Sequence, residues 1–318
     1  MKRIDVILTI TAHAALDRVI FIPEFCPTTR MPADHSVDYV GGKGFVVSVA
    51  LSCLGVRNLA MGILAGENGR RLEFLLHGYG VPCNLTWVEG ETRISHVIVE
   101  TKHHRHSHIM TPSYHVSFED LQVFLSRYRS QVWEADWVIA GGSLADGIPD
   151  SFYAQVTEIA HQAGAQVLID SWDEPFRQSL NAPPDILKQN LREFCSTFGF
   201  DESSLADQTV LLKAVRETRD RYSMPAIVIT LGPDGLLMVT NKAAWHACCP
   251  AQPAASAAGA GDSVSAALAW RLGLGDDWPE VLRWCAAIGT AGVLTEGTGE
   301  VRLDDVLRFL PQAEVAVL

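Results

Sequence analysis

The 318-residue sequence lacks an apolar stretch of the roughly 18 residues that a membrane-spanning helix needs, which argues against such a span. It also lacks any C-x-x-C pair. Its cysteines are odd in number and scattered, which argues against a disulfide framework and favours reduced thiols in a cytoplasmic protein. The N-terminal segment MKRIDVILTITAHAALD has no apolar run followed by a small-residue cleavage site, so we interpret it as a first strand. The seven cysteines are Cys26, Cys53, Cys83, Cys195, Cys248, Cys249 and Cys285.

Positive charge is also scarce. Lys and Arg total 25 against 37 Asp and Glu, a net charge of −12. Such a molecule repels polyanions, so nucleic acid is not expected as a partner, and an anionic substrate would need a local basic pocket. Apolar residues are plentiful at 48%, enough for a sizeable core. Because no linker divides the chain, we expect a single domain over residues 1–318.

Short apolar runs alternate with amphipathic segments of helical length along most of the chain. This alternation predicts an α/β fold with a central, mostly parallel sheet flanked by helices on both faces. The expected strands are 3–11, 58–64, 137–140, 166–170, 226–231 and 236–240, and the expected helices are 44–54, 70–79, 150–164 and two that begin at 262 and 278.

Two segments break this alternation. Residues 19–40 and 92–109 are rich in polar and β-branched side chains without a helical period, which predicts extended structure outside the main sheet. We expect them to form a small β-sheet lid, built from roughly residues 12–40 and 92–110. The second segment contains the histidine-rich run KHHRHSH at 102–108. Its spacing fits no ordered four-ligand metal site, so an exposed lid edge is the expected interpretation.

The stretch ASAAGAGDSVSAALAW at 255–270 places Asp262 directly after Gly259, Ala260 and Gly261, at the start of a helix. Glycines let backbone N–H groups approach a ligand, and a helix N-terminus offers unpaired donors and the positive end of a dipole. Such a site binds anions, and the same dipole is expected to keep Asp262 ionised and able to accept a proton from a hydroxyl. These features predict phosphoryl transfer to an alcohol. The alternative is close packing of a helix on a strand, with Asp262 as an ordinary helix-start carboxylate.

Three motifs together resemble the ribokinase-like (PfkB) carbohydrate kinases: GAGD before a late helix, VGGKGFVVSVALSCLGV at 40–56 and VITLGPDGLL at 228–237. The motifs TAHAALD at 11–17, GETR at 90–93, GGSLADGIPDSFY at 141–153 and KQNLREF at 188–194 are similar to the 1-phosphofructokinase and tagatose-6-phosphate kinase branch. The resemblance covers nearly the whole chain. It implies a ribokinase-like fold and ATP-dependent phosphorylation of a sugar or sugar phosphate, with Mg²⁺ as cofactor and Asp262, Gly259, Ala260 and Gly261 as the catalytic residues.

The resemblance also implies an acceptor site. It would include Asp17, as a carboxylate for sugar hydroxyls, and Arg93, whose planar guanidinium suits a phosphate already on the substrate. The same site would use His13, Gly41, Gly42 and Lys43.

For the nucleotide, the resemblance implies contacts from Lys188, Asn190, Thr230, Gly232 and Gly235, with the segment 286–299 beside the adenine. Asn190 and Glu193 would help to organise Mg²⁺, which prefers oxygen ligands and retains waters. Relatives often dimerise through the lid, so a homodimer is expected on the same basis.

Several positions depart from the family pattern. His13 stands where Asn is usual, Ala14 where Pro is usual, and Val46 where a substrate-binding Asn is usual. Each change alters a polar contact to the sugar, so the sequence leaves open which sugar or sugar phosphate, and which hydroxyl, is used. Two alternatives stay open: a non-catalytic homologue that binds a sugar phosphate, and a nucleoside kinase of the same fold. Ala257 and Ala258 replace Thr-like positions, which makes a monovalent-cation site doubtful.

Overall fold

The computed structural model describes residues 6–103 and 105–318, without the side chain of His106. The strands are β1 Ile7–Thr11, β2 Ala15–Ile22, β3 His35–Gly41, β4 Asn58–Ala65, β5 Cys83–Val88, β6 Arg93–Glu100, β7 Arg105–Met110, β8 Trp137–Gly141, β9 Gln166–Asp170, β10 Ile186–Asn190, β11 Ala226–Thr230, β12 Leu236–Thr240, β13 Ala244–Cys248 and β14 Glu314–Val317. The α-helices are α1 Lys43–Cys53, α2 Gly66–Gly78, α3 Phe118–Gln131, α4 Phe152–Ala163, α5 Asp173–Ser179, α6 Leu191–Phe198, α7 Gln208–Arg221, α8 Ala260–Leu274, α9 Trp278–Gly292 and α10 Leu303–Phe309.

The main sheet contains ten strands in the order β14-β13-β12-β11-β10-β9-β8-β1-β4-β5. All pairs from β11 to β5 are parallel, whereas β12, β13 and β14 add antiparallel strands at one edge. The mostly parallel sheet predicted from the alternation is therefore confirmed. Residues 3–5 of the expected first strand lie outside the described residues.

Helices cover both faces of the main sheet because its parallel strands bury side chains on both sides. On β8, Val138 belongs to the cluster packed against α3 to α7, and its neighbour Ile139 to the cluster packed against α1, α8, α9 and α10. Such a strand needs apolar residues at every position, and all five positions of β8 are buried. The expected layering of helices on both faces is confirmed.

Local signals explain where some helices begin and end. Helix α4 stops at Gly164, which has a φ of +83° that glycine adopts without strain, as the sequence predicts. Helix α9 begins after Asp277, whose side chain accepts a hydrogen bond from the backbone N–H of Glu280.

Helix α2 begins four residues before the expected position, at Gly66. The Glu91 carboxylate caps it by accepting from the backbone N–H groups of Glu67 at 3.3 Å and Asn68 at 2.6 Å. This cap comes from a residue more than twenty positions away in sequence.

A second sheet of four strands, in the order β3-β2-β6-β7, lies outside the main sheet. Strand β2 pairs antiparallel with β3 and parallel with β6, and β6 pairs antiparallel with β7. These strands occupy the two segments expected to form the lid, so the small β-sheet part of the fold prediction is confirmed.

Two other expectations concern membrane-spanning helices and disulfide bonds. None of the helices in the described part of the chain is long and apolar enough to cross a bilayer. All seven cysteines are free. The cytoplasmic location that they suggest stays a prediction.

Candidate active site

The candidate site lies at the carboxyl ends of the parallel strands, where ligands bind in open α/β sheets. The strand registers align Thr11 of β1 with Gly141 of β8, and Gly141 with Asp170 of β9. On the far side of β9, Asn190 of β10 is aligned with Thr230 of β11. The loops that follow these residues therefore converge on one edge of the sheet.

A cavity of 620 Å³ opens at this edge. It brings together all five residues predicted to contact the nucleotide, together with Ala260, Gly261, Asp262 and Glu193. Gly232 and Gly235 have φ of +62° and +86°, and a Cβ at Gly235 would lie 2.1 Å from the carbonyl oxygen of Ala247. Helix α9 supplies an apolar wall through Ala286, Gly289 and Thr290, within the segment expected beside an adenine.

Helix α8 points its N-terminus into this cavity. It begins at Ala260, two residues before the expected start, because Gly259 caps it with a φ of +80°. A Cβ at position 259 would come within 2.5 Å of the Gly299 nitrogen, so space as well as φ requires glycine. The first N–H groups of a helix have no acceptor within it, so this end presents donors and positive potential to the cavity.

Asp262 lies in the first turn of α8, half-buried, and its Oδ1 is shielded from solvent without a hydrogen-bond partner. Burial and the nearby Asp170 carboxylate raise the pKa of Asp262 to about 7, against the opposing effect of Lys188 and Lys43. Burial therefore opposes the effect expected of the helix dipole, and Asp262 is only partly ionised near neutral pH. A carboxylate that titrates near pH 7 is well matched to accept a proton.

Asp170, at the end of β9, is 1% exposed and organises the cations of the cavity. Its Oδ1 accepts from Lys43 Nζ at 2.5 Å, and its Oδ2 accepts from Lys188 Nζ at 2.6 Å and Ser265 Oγ at 3.0 Å. Burial alone would raise the pKa of Asp170, but Lys188 and Lys43 lower it to about 2. The carboxylate therefore stays ionised and fixes both ammonium groups.

Lys43 lies in the larger cavity, although the sequence predicts that it contacts the acceptor. Its ammonium group donates to Asp170 and, at 2.8 Å, to Glu193 Oε1, and it lies 4.8 Å from the centre of the Trp172 ring. Burial would lower the pKa of Lys43, but the two carboxylates outweigh burial and raise it. Lys43 therefore carries a fixed positive charge beside Asp262.

Asn190 and Glu193 form a capping box at the start of α6. Asn190 Oδ1 accepts from the Glu193 N–H at 2.8 Å, and Glu193 Oε2 accepts from the Asn190 N–H at 2.9 Å. Both residues also line the cavity, so the N-x-x-E motif has a structural role as well as a place in the site. Within residues 6–103 and 105–318, no group of three or more His, Cys, Asp or Glu side chains could hold a metal ion.

Asp17, on β2 of the lid, faces the same region from the other side. Gly41 leaves the space that Asp17 occupies, because a Cβ at position 41 would lie 2.5 Å from Asp17 Oδ1. Gly42 has a φ of +95° and precedes α1. Burial raises the pKa of Asp17 to about 7 against the effects of Arg93 and Ser95, and the charge of Asp262 adds to the increase. Asp17 and Asp262 therefore lie near enough for the charge of one to affect the pKa of the other.

His13, Ser143 and Arg93 form a second polar group beside Asp17. His13 Nδ1 lies 3.1 Å from Ser143 Oγ. Arg93 Nη2 donates weakly, at 3.4 Å, to Ser143 Oγ and to the His13 carbonyl oxygen. His13 Nε2 and Arg93 Nε are both buried without a partner. Buried polar atoms without partners are rare in proteins, and these two offer donors to a ligand.

A smaller cavity of 370 Å³ adjoins this group and is lined by Ser143 and Trp172. Asp146, Asp150 and Asp173 also line it, so its charge disfavours a phosphate. The guanidinium of Arg93 and the imidazole of His13 mark the position that better suits an anion.

Val46 does not present a polar group to the site. Its side chain is 2% exposed and packs at the start of α8, where its Cγ1 lies 3.0 Å from the position of a Cβ on Gly259 and 2.6 Å from that of a Cβ on Gly299. The apolar side chain thus fills the space behind the glycine turn. The contact that the resemblance implies for an Asn at this position is absent.

Comparisons with known proteins identify the family. A model of the "pfkB family carbohydrate kinase" matches residues 8–305. The chain belongs to the pfkB family of carbohydrate kinases. It is accordingly a kinase that uses ATP to phosphorylate a carbohydrate hydroxyl, and the family predicted from the motifs is confirmed.

Named relatives and a solved structure extend this result. The chain is 26% identical to 1-phosphofructokinase of Bacillus subtilis over 98% of this chain and 100% of the relative. It is 26% identical to D-tagatose-1-phosphate kinase of Bacillus licheniformis over 93% of this chain and 95% of the relative. Phosphofructokinase-2 of Escherichia coli, solved in complex with potassium, superimposes with a TM-score of 0.87 at 24% identity, over 98% of this chain and 99% of that one. These matches lend no support to the two alternatives, a non-catalytic homologue or a nucleoside kinase.

The histidine-rich run lies at the edge of the lid. His103 Nε2 lies 3.4 Å from Glu24 Oε1, and Arg105 donates to Glu100 at 2.8 Å. His104 and the side chain of His106 lie outside the described residues. Within the described part, the run belongs to lid-edge ion pairs and not to the site.

Sequence reasoning missed Asp170, Ser143 and Trp172. Asp170 was identified only as the end of a strand, yet a carboxylate at the carboxyl end of a buried parallel strand is itself a signal of a ligand site. Ser143 lies in the GGSLADG motif, whose serine was not singled out. Trp172 follows Asp170 by two residues and gave no signal of its own.

Proposed function

We propose that this kinase transfers the terminal phosphoryl group of ATP to a hydroxyl of a hexose phosphate, with Asp262 as general base. The observation that carries the proposal is the unpartnered Oδ1 of Asp262 at the N-terminus of α8. Asp262 lines the cavity that contains Lys43 and Lys188, and its charge interacts with Asp17, which lies near Arg93. A nucleotide in this cavity and an acceptor beside Asp17 and Arg93 would meet at the Asp262 carboxylate.

The reaction needs one proton acceptor and stabilisation of negative charge. As the acceptor oxygen forms its bond to the terminal phosphorus, the bond from that phosphorus to the bridging oxygen of ADP breaks and Asp262 takes the hydroxyl proton. The N–H groups at the start of α8 and the ammonium groups of Lys43 and Lys188 face the charge that develops on the phosphoryl oxygens. Asp170 holds both ammonium groups in place.

A magnesium ion fits the donors of the cavity. Glu193 and Asn190 provide oxygen atoms only, and Mg²⁺ is commonly held by one or two carboxylates together with phosphates and waters. When bound, the ion would neutralise charge on the nucleotide phosphates. Lys43 donates a hydrogen bond to Glu193 Oε1. The phosphates of a bound nucleotide would compete with Glu193 for this lysine.

The acceptor is proposed to be a phosphorylated hexose because Arg93 and His13 leave buried nitrogen atoms without partners. A planar guanidinium binds phosphate oxygens well, and this pocket supplies the local positive charge that an acidic protein needs for an anionic substrate. The names of the relatives, 1-phosphofructokinase and D-tagatose-1-phosphate kinase, agree with this substrate class.

An acceptor screen tests the proposal. The protein is incubated with ATP and Mg²⁺ and with fructose 1-phosphate, fructose 6-phosphate, tagatose 1-phosphate, the unphosphorylated sugars and a set of nucleosides, and ADP release is followed. We expect ADP release that depends on at least one hexose phosphate and is much weaker with its unphosphorylated sugar. Equal rates with both sugars, or turnover of nucleosides alone, would contradict the proposed substrate class.

We also propose that two copies pair through the lid. The support is that Ile109 and Met110 on edge strand β7 are 52% and 47% exposed, which is unusual for such apolar side chains. Light scattering should give twice the mass of the chain, and Ile109→Lys should shift it toward the single-chain mass. A monomeric wild-type protein would contradict this arrangement.

A further inference from the structure

The His13 imidazole has one ring nitrogen, Nε2, that forms no hydrogen bond within the described part of the structure. It lies in the loop between β1 and β2, with Nδ1 against Ser143 Oγ and with the ring edge-on to Tyr114 at a centroid distance of 6.1 Å. Nε2 is shielded from solvent and has no partner. A ring held at one nitrogen and open at the other is oriented for a ligand.

The hydrogen-bond network favours one tautomer of this ring. Arg93 can only donate, so Ser143 Oγ accepts from it. Ser143 Oγ has two lone pairs and could accept from both side chains, but only the arrangement in which its hydroxyl donates to His13 Nδ1 uses the hydroxyl hydrogen within this group. In that tautomer Nε2 carries the hydrogen and is a donor. Arg93, Ser143 and His13 thus form a chain of donors that ends at Nε2–H.

The ring is also neutral under ordinary conditions. Burial, together with the charge of Arg93, lowers the pKa of His13 to about 4. Arg93 on β6 is the charged group that acts on the ring, and its own pKa is lowered by burial. A neutral His13 beside the Arg93 guanidinium can orient a ligand through a hydrogen bond. It does so without adding a second positive charge, which Arg93 would repel.

We propose that His13 donates its Nε2–H to the phosphate that the acceptor already carries, beside the guanidinium of Arg93, and so selects phosphorylated hexoses. The inference rests on the proposed function. A phosphate offers only acceptor oxygens, and it would satisfy the two buried nitrogens, His13 Nε2 and Arg93 Nε, at once. Ser143 bridges the two side chains, which fixes their separation. The acidic cavity on the other side of Ser143 offers no comparable place.

Two near-isosteric variants distinguish the nitrogens of His13. The amide of Gln reaches the position of Nε2, whereas the amide of Asn reaches only that of Nδ1. With the hexose phosphate that turns over best, His13→Gln should keep the acceptor KM within about threefold of the wild-type value. His13→Asn and His13→Ala should raise it roughly 10- to 100-fold, as expected for a lost hydrogen bond to a charged group. The KM for ATP should stay constant in all three.

Ser143→Ala supplies a matched test of the tautomer. Without the hydroxyl, His13 can carry its hydrogen on either nitrogen, so the acceptor KM should rise even though the ring remains. The rise in Ser143→Ala should largely disappear in the double variant with His13→Gln, whose amide donor does not depend on a tautomer. Equal effects of His13→Asn and His13→Gln, or a wild-type KM in His13→Ala, would overturn the proposal.

A binding measurement separates this inference from the proposed function. Inorganic phosphate should raise the thermal unfolding midpoint of the wild-type protein and of His13→Gln, and it should do so less for His13→Asn. If no hexose phosphate is turned over but this pattern holds, the proposed function fails and the phosphate site stands. If turnover occurs but the three proteins respond equally to phosphate, His13 is not a phosphate ligand. Unliganded thermal midpoints control for folding.

Discussion

The two sides of the active site differ in how their polar groups are satisfied. In the larger cavity, where we propose that the nucleotide binds, Asp170 accepts from Lys43, Lys188 and Ser265, so the charged groups hold one another in place. On the proposed acceptor side, His13 Nε2 and Arg93 Nε are buried without partners. In the proposed function, the phosphoryl-transfer half is therefore assembled within the protein, whereas the acceptor half is completed by its ligand. Asp262 lies between the two, with one oxygen unpaired.

The largest effect is expected from removal of the Asp170 carboxylate, which accepts hydrogen bonds from Lys43 and Lys188. Asp170→Asn would leave the Lys43 and Lys188 ammonium groups without their shared counter-ion. Breaking a buried ion pair on one side typically costs about 3–5 kcal/mol, so we expect a loss of this size in the free energy of unfolding, measured with urea. Asp304→Asn, on the exposed first turn of α10, is the control and should change it by less than about 0.5 kcal/mol. A loss under about 1 kcal/mol for Asp170→Asn would show that the network does not depend on Asp170.

A substitution on the acceptor side should affect binding of one substrate only. Arg93→Lys keeps the charge but loses the planar pair of donors, so we expect the acceptor KM to rise roughly 10- to 50-fold with the ATP KM unchanged. Arg105→Lys changes an exposed arginine that pairs with Glu100 at the lid edge; it is the matched control and should leave both values unchanged. If both substrates lost affinity equally in Arg93→Lys, the two sides of the site would not be separate.

The smallest expected effect concerns pH and two carboxylates whose charges interact, Asp262 and Asp17. Burial raises the pKa values of Asp262 and Asp17 to about 7 in the fold, well above the ordinary range of a carboxylic acid. The unfolded chain therefore loses these protons first, and stability falls as pH rises from the unfolded value to the folded one. Asp262→Asn should remove the part of this loss that Asp262 contributes, with a gain of about 1–2 kcal/mol in the free energy of unfolding at pH 8, less than the full change in pKa implies because water reaches part of the side chain. The gain should shrink toward zero near pH 4. A gain that does not change with pH would contradict the raised pKa.

The sequence predicted the fold, and the residues that it predicted for the nucleotide line one cavity, because both predictions depend on local patterns. Gly259 and Gly232 lie at turns where the backbone has a positive φ, which other residues rarely adopt. The hydrophobic periods of strands and helices are visible within single segments of the sequence. The start of α2 could not be predicted, since Glu91 caps it from another part of the chain. Motif spacing also could not show that Lys43 turns toward Asp170 and Glu193, because the two carboxylates come from distant strands and helices.

The residues of the acceptor half were predicted one by one from the resemblance to the family. Their contacts and pKa values could not be predicted in that way. Val46 stands where the resemblance implies a substrate-binding Asn, but the sequence could not show that its side chain fills the space behind Gly259 and Gly299. The effective pKa of Asp262 depends on burial and on Asp170, neither of which the motif GAGD contains. The partnership of His13 with Ser143 joins two loops separated by 130 residues. Such contacts follow from the folded geometry and not from any local signal.

The most direct test of the central claim is the rate of acceptor-dependent ADP release by Asp262→Asn, with ATP binding measured on the same sample. If the half-buried carboxylate at the start of α8 takes the acceptor proton, this rate should fall at least about 100-fold while the affinity for ATP stays within a few-fold of the wild-type value. Turnover close to that of the wild-type protein, with the hexose phosphate saturating, would contradict the assignment of Asp262 as the general base.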